Sequence, residues 1–166
     1  MKKIITIATL ALSTLQVKAQ TSSNWTQINV PTIENLNDIA FVHNSFGIGY
    51  IGGDNGTLLK TIDGSNNWTN VNFTGVNPGV PFNVMYLEFV SPTIGFMILD
   101  ITSGFYKTID GGSTWIEDTD FELGNQCYKK AVHSNDENNL FLAGAGCFQR
   151  ALINEYNAPT WTDKSF

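Results

Sequence analysis

Thr108-Ile109-Asp110-Gly111-Gly112-Ser113-Thr114-Trp115 is written a second time, less faithfully, as Thr61-Ile62-Asp63-Gly64-Ser65-Asn66-Asn67-Trp68. The tryptophans that close the two stretches belong to a longer series. Trp25, Trp68, Trp115 and Trp161 are separated by 43, 47 and 46 residues. A fixed period of about 40–50 residues marks an architecture of repeated units, each too small to bury its own apolar face.

The same short runs precede each of the last three tryptophans. The first repeat carries Ile39-Ala40-Phe41-Val42-His43, Gly47-Ile48-Gly49-Tyr50-Ile51, then Gly56-Thr57-Leu58-Leu59-Lys60 leading into the quoted stretch. The second carries Leu87-Glu88-Phe89-Val90-Ser91, Gly95-Phe96-Met97-Ile98-Leu99, then Gly104-Phe105-Tyr106-Lys107. The third is weaker: Lys129-Lys130-Ala131-Val132-His133, Leu140-Phe141-Leu142-Ala143, then Gly146-Cys147-Phe148-Gln149-Arg150. The runs are rich in β-branched and aromatic residues, and turn formers bound them, such as Asn44-Ser45, Ser91-Pro92 and Asn135-Asp136-Glu137-Asn138. Asn55-Gly56 suits a hairpin turn that needs positive φ. With a fourth run starting at each tryptophan, every repeat reads as four strands. The expected fold is therefore all-β, a propeller of four-stranded antiparallel blades. About three blades are present, with repeats at about 25–67, 68–114 and 115–160. Trp25 to Val30 reads as a lone leading outer strand. Propellers close with about four to eight blades. The expectation is thus a partial propeller: a truncated product, or a chain that assembles with copies of itself.

The segment Thr108 to Trp115 resembles the Asp-box, or BNR repeat, of pattern Ser/Thr-x-Asp-x-Gly-x-Thr-Trp. The copy from Thr61 departs from it at Ser65, where the pattern has Gly; the third repeat keeps only Trp161. Residues 49–64 and 104–115 look most like the photosystem II stability/assembly-factor-like propellers. That family also includes exported proteins of non-photosynthetic bacteria. The resemblance implies structural roles for Thr61, Asp63, Gly64 and Trp68, and for Thr108, Asp110, Gly112 and Trp115. Each Asp would accept backbone N–H bonds across a turn, and each Trp would pack between blades.

The first residues read as a secretory signal over 1–19. Lys2 and Lys3 precede an apolar run, Ile4 to Leu12, and Val17-Lys18-Ala19 supplies a small-residue cleavage pattern. The run is shorter than the ~20 residues that cross a bilayer, so no membrane insertion is expected. The remainder, 20–166, is the propeller. The short Lys-Lys leader has a bacterial look, and the destination is the periplasm, the cell surface or the medium. Losing three lysines takes the formal charge from −6 to −9. Such an acidic chain, without a basic patch, is a poor nucleic-acid partner. Cys127 and Cys147 are a candidate disulfide in an oxidising compartment, closing a loop of about 21 residues for roughly 3 kcal/mol. Two buried thiols are the alternative.

Chemistry is sparse. Sialidases also carry Asp-boxes, but they clamp a carboxylate with several arginines, and this chain contains only Arg150. Asp38 and Glu88 lie on innermost strands, where a glycosidase would need two carboxylates about 5–9.5 Å apart; their aligned positions are Tyr86 and Ala40. His43 and His133 align with each other at the end of the first strand, with Ser91 between them. That favours a turn or packing role over a metal site. Asp54-Asn55 and Asn135-Asp136-Glu137 read as turns rather than calcium loops. Lys60, Lys107 and Arg150 align as solvated strand-end cations. No catalytic residue, cofactor or metal is expected. The reading is an exported, non-catalytic module that binds a protein or glycan. Its alternatives are the N-terminal part of a secreted Asp-box glycoside hydrolase and a structural repeat of a larger surface protein.

Overall fold

The computed structural model describes residues 26–76, 79–101, 104–118, 128–136, 138–145, 151–157 and 160–163. The proposed leader, Trp25, Cys127, Cys147 and Arg150 lie outside these residues.

Among the described residues twelve strands form three four-stranded sheets, each an antiparallel meander in chain order. Blade one contains β1 (Leu36–Val42), β2 (Ser45–Gly53), β3 (Leu58–Thr61) and β4 (Thr69–Asn70). Blade two contains β5 (Val84–Phe89), β6 (Gly95–Leu99), β7 (Phe105–Thr108) and β8 (Ile116–Glu117). Blade three contains β9 (Tyr128–Asp136), β10 (Asn139–Ala145), β11 (Ala151–Asn157) and β12 (Thr160–Asp163). Each tryptophan stands at or beside the start of its fourth strand, so the sheets run out of phase with the tryptophan-to-tryptophan repeats. Asp54–Gly56 forms a single 3-10 turn between β2 and β3, with Asn55 and Gly56 at φ of 52° and 68°. No helix among the described residues is long and apolar enough to cross a membrane.

The blades stack face to face through apolar clusters. Ala40, Val42, Tyr50 and Leu58 of blade one pack against Leu87, Phe89, Met97, Tyr106 and Trp115 of blade two. The link between these blades contributes Val71, Phe73 and Val76 to the same cluster. Phe96, Ile98 and Phe105 of blade two meet Leu140 and Leu142 of blade three. A smaller cluster, Ile51, Leu59 and Trp68, lies on the other face of blade one, with Val30 and Phe41 against it. Period-two alternation explains the division, since neighbouring residues of a strand serve opposite faces.

One expected element is absent. Residues 26–30 carry no strand, although Trp25 to Val30 reads as one. A strand needs a hydrogen-bonding neighbour, and β3 is already paired with β4 on that edge.

Candidate functional site

The two Asp-box turns are built alike. Asp110 Oδ1 accepts the backbone N–H groups of Ser113 (3.0 Å) and Thr114 (2.8 Å) and the Thr108 hydroxyl (2.9 Å). Asp63 Oδ1 accepts the Asn67 N–H (2.9 Å) and the Thr61 hydroxyl (2.9 Å), and its Oδ2 accepts the Asn67 side-chain amide (2.7 Å). The threonine is the less obvious hub. Both hydroxyl oxygens are buried and accept N–H bonds four residues on, from Ser65 (3.1 Å) and Gly112 (3.0 Å). The sequence signal for that role is only the recurrence of Thr at the first position of the box. Gly112 adopts φ 88°, and Ser65, at the same place, is forced to φ 69°. The left-handed region costs a residue with a Cβ about 1–2 kcal/mol, which is the physical content of the departure from the pattern.

Trp115 lies between blades one and two, its edge against Phe89 at a centroid distance of 6.0 Å, and its indole N–H donates to the Gly112 carbonyl (3.1 Å). Tyr50 stacks on Phe89 at 3.6 Å and donates its hydroxyl to the Gly111 carbonyl of the next blade's Asp-box (3.0 Å). Lys60 donates to the same carbonyl (3.3 Å) and sits 5.0 Å above the Tyr50 ring, and Lys107 sits 5.8 Å above Phe96. Lys60 is therefore a junction residue, not the solvated strand end that its sequence position implies, and Lys107 covers an aromatic ring of its own blade. Strand register gives their place in blade three to Glu155, not Arg150.

At the same end of the blades, three inner strands converge on one carboxylate. Glu88 Oε1 lies 3.1 Å from His43 Nε2 and 3.6 Å from His133 Nδ1, and it accepts the Ser134 N–H at 3.4 Å. The imidazole centroids lie 6.4 Å apart, with the rings tilted by 48°. Ser134 is buried and donates its hydroxyl to the carbonyls of Asp136 and Asn139. The two histidines are thus partners of one residue rather than equivalents. Ala40, Glu88 and His133 hold the same register, each opposite the aromatic Tyr50, Phe96 or Phe141 of the neighbouring strand. Strand pairing, not residue-for-residue alignment of the repeats, thus decides which residue matches Glu88. Phe46, Ile62 and Ile109 are exposed at this end, the two isoleucines at equivalent positions of the boxes.

Asp38, Asp54 and Asp136 also serve as hydrogen-bond acceptors. Asp38 accepts the N–H groups of Ile39 (2.9 Å) and Leu87 (2.8 Å), tying blade one to blade two. At the opposite end Asp54 accepts the side-chain amides of Asn35 (2.8 Å) and Asn37 (3.0 Å). Asp136 accepts the Asn138 and Asn139 N–H groups in the β9–β10 turn. Hydrogen bonds hold four of these carboxyls below the usual range: from the Asn37 amide to Asp54, the Asn67 amide to Asp63, the Thr114 backbone to Asp110 and the Asn139 amide to Asp136. A folded-state pKa below the unfolded value, about 3.9 for Asp, means stability present above that value and lost as pH falls through the folded one. Urea midpoints are therefore expected to begin dropping below about pH 5 and to go on dropping as pH falls through the lowered pKa values. The drop should be smaller in Asp63→Asn and Asp110→Asn; an undiminished drop in both would remove the Asp-box turns as its source.

Four-stranded antiparallel meanders stacked face to face, two of them closed by turns in which Thr and Asp bind the backbone, define a β-propeller. The chain is a BNR-like propeller that resembles the photosystem II assembly factors, and its described residues make up three blades. A family model described as photosynthesis system II assembly factor YCF48 matches residues 17–85. The photosystem II assembly lipoprotein Ycf48 of Trichormus variabilis is 23% identical over 185 aligned residues, covering 87% of this chain and 53% of the relative. The protein of the same name from Nostoc is 24% identical, covering 73% of this chain and 47% of the relative. The chain spans about half the length of the curated relatives it matches. A solved structure of YCF48 bound to D1 peptide superposes with a TM-score of 0.60 at 19% identity, over 82% of this chain and 42% of that one. That superposition carries the fold.

Proposed function

We propose that the chain is an exported, non-catalytic assembly module that binds a protein segment at the Asp-box end of its blades. The observation that carries this reading is the convergence of His43, Glu88 and His133 from three consecutive blades, at the end of the blades where Phe46, Ile62 and Ile109 are exposed. A carboxylate between two imidazoles, with exposed apolar side chains at the same end of the blades, suits a peptide bearing a hydrogen-bond donor and apolar side chains. The superposed YCF48 holds a D1 peptide, which supports a protein partner over a glycan. Asp38 and Glu88 do not form a free acid–base pair, because strand N–H groups engage both.

Site-specific photocrosslinking in the native host tests the reading. A photoreactive residue at Ile62 or Ile109 is expected to yield a discrete adduct with another exported protein, and one at Asn70 is not. Absence of adducts from both positions, or hydrolysis of aryl glycosides by the purified chain, would overturn it.

A further inference from the structure

The chain contains two histidines, and both lie at one place. Histidine is the side chain whose ordinary charge change falls between about pH 5 and about pH 8. His43 comes from the turn after β1 and His133 from β9. Blades one and three thus bring one imidazole each to a carboxylate of blade two. The Glu88 side chain is 16% exposed, whereas those of His43 and His133 are 36% and 67% exposed. The carboxylate is shielded by two rings that themselves meet solvent.

The charges around this centre point to its ligand. Among the described residues, no lysine or arginine lies within ion-pair distance of Glu88. Lys60 is engaged by the Gly111 carbonyl and the Tyr50 ring, and Lys107 by the ring of Phe96. β2 and β6, which pair with β1 and β5, carry no charged residue. Asp38 is the further carboxylate on β1, and its oxygens take the N–H groups of Ile39 and Leu87. β9 also carries Lys129, Lys130 and Asp136, of which Asp136 binds the Asn138 and Asn139 N–H groups. Glu88 accepts the Ser134 N–H, a neutral donor. Above the histidine range, the described partners of this largely buried carboxylate are therefore all neutral, and such a charge is costly without a counter-ion.

We propose that this centre takes a lysine or arginine side chain of the bound segment, and that protonation of the two imidazoles expels it. The inference rests on the peptide-binding reading and adds the chemistry of the partner. With both imidazoles neutral, the trio carries one negative charge, and an ammonium or guanidinium supplies the counter-ion. With both protonated, it carries one positive charge, and Glu88 is matched from within. The ring centroids are 6.4 Å apart, so a cation beside Glu88 feels both rings. The formal charge of −6 also draws a basic segment toward the chain.

A random peptide library displayed on phage, panned at about pH 8 on the untagged full-length chain, tests this. Enriched peptides are expected to carry a lysine or arginine beside apolar residues. The affinity of a histidine-free synthetic copy, read by fluorescence anisotropy, should fall roughly 10-fold or more from about pH 8 to about pH 5. Lysine and arginine stay charged over that range, so the change belongs to the chain. Norleucine in place of the basic residue should lose a similar factor at pH 8 and remove most of the pH dependence. The double variant His43→Gln, His133→Gln should still bind at pH 8 but with a flat profile. Glu88→Gln, whose amide oxygen can still accept the Ser134 N–H, should lose the preference for a basic residue. Circular dichroism confirms that each variant is folded. Enriched peptides without a basic residue, or a profile as steep in the double variant as in the parent, would overturn the inference and leave the peptide-binding reading standing. A library that yields no enriched peptide would remove that reading and this inference with it.

Discussion

Replacing Trp115 by Ala is expected to lower the free energy of unfolding by about 3–5 kcal/mol, the usual loss for a large aromatic removed from a core. Trp115 is almost wholly buried, stands edge-on to Phe89 and gives its indole N–H to Gly112. Truncation therefore opens a cavity at the junction of two blades and leaves the Gly112 carbonyl without that donor. For a chain of this size the loss is a large share of a total stability of about 5–15 kcal/mol. Trp68→Ala is the internal control. Trp68 packs in a smaller cluster on the open face of blade one, so its truncation should cost distinctly less. Urea titrations followed by circular dichroism compare the two. Equal losses would show that the junction adds nothing to what a single blade supplies.

The second large effect is expected at Gly75. After β4 the chain crosses to blade two. The Thr74 N–H donates to the Ser113 carbonyl (3.0 Å), and Thr74 accepts the Trp115 N–H (2.9 Å). This short parallel bridge, Thr74 to Thr114, pins the second Asp-box to the link from blade one. Gly75 holds φ 90°, and a Cβ placed on it would collide with the Trp115 carbonyl oxygen. The obstacle is backbone, so no rotamer change relieves it, and the conformation disfavours any side chain. Gly75→Ala is expected to cost roughly 2–4 kcal/mol from strain and overpacking together. Gly79, also at positive φ but with nothing within 4 Å, separates the two causes. Gly79→Ala should show the conformational cost alone. A Gly75→Ala loss no larger than that of Gly79→Ala would mean that the bridge yields instead of resisting.

Much of the architecture is legible because repetition exposes it. The tryptophan spacing, the β-rich runs and the Asp-box pattern mark the strands of blades one and two, and Asn55-Gly56 marks a turn that does take positive φ. The buried role of Thr61 and Thr108 is harder to see. A hydroxyl that organises a turn looks in sequence like any other Thr in a strand. The histidine–glutamate junction is not legible at all. Residue-for-residue alignment makes His43 and His133 counterparts, whereas pairing makes His133 the counterpart of Glu88. That equivalence rests on the pairing of Glu88 with Phe96 and of His133 with Phe141, which leaves no mark in residue type. The strand expected at Trp25 to Val30 fails for a related reason, because β propensity cannot provide a neighbour to bond to.

The sequence by itself determined the unit: a four-stranded meander, closed in two copies by a Thr-x-Asp turn, repeated at the period of its tryptophans. Period-two patterning and turn chemistry are local, so they can be read locally. Only the tertiary structure decided which faces meet. It placed Tyr50 and Lys60 on the Asp-box of the next blade, drew two histidines to one carboxylate, and left Ile39 and Phe141 uncovered at the two ends of the stack. Those outcomes depend on strand register and on the stacking of one blade on another. Both are set by bulges and by packing between residues far apart in the chain.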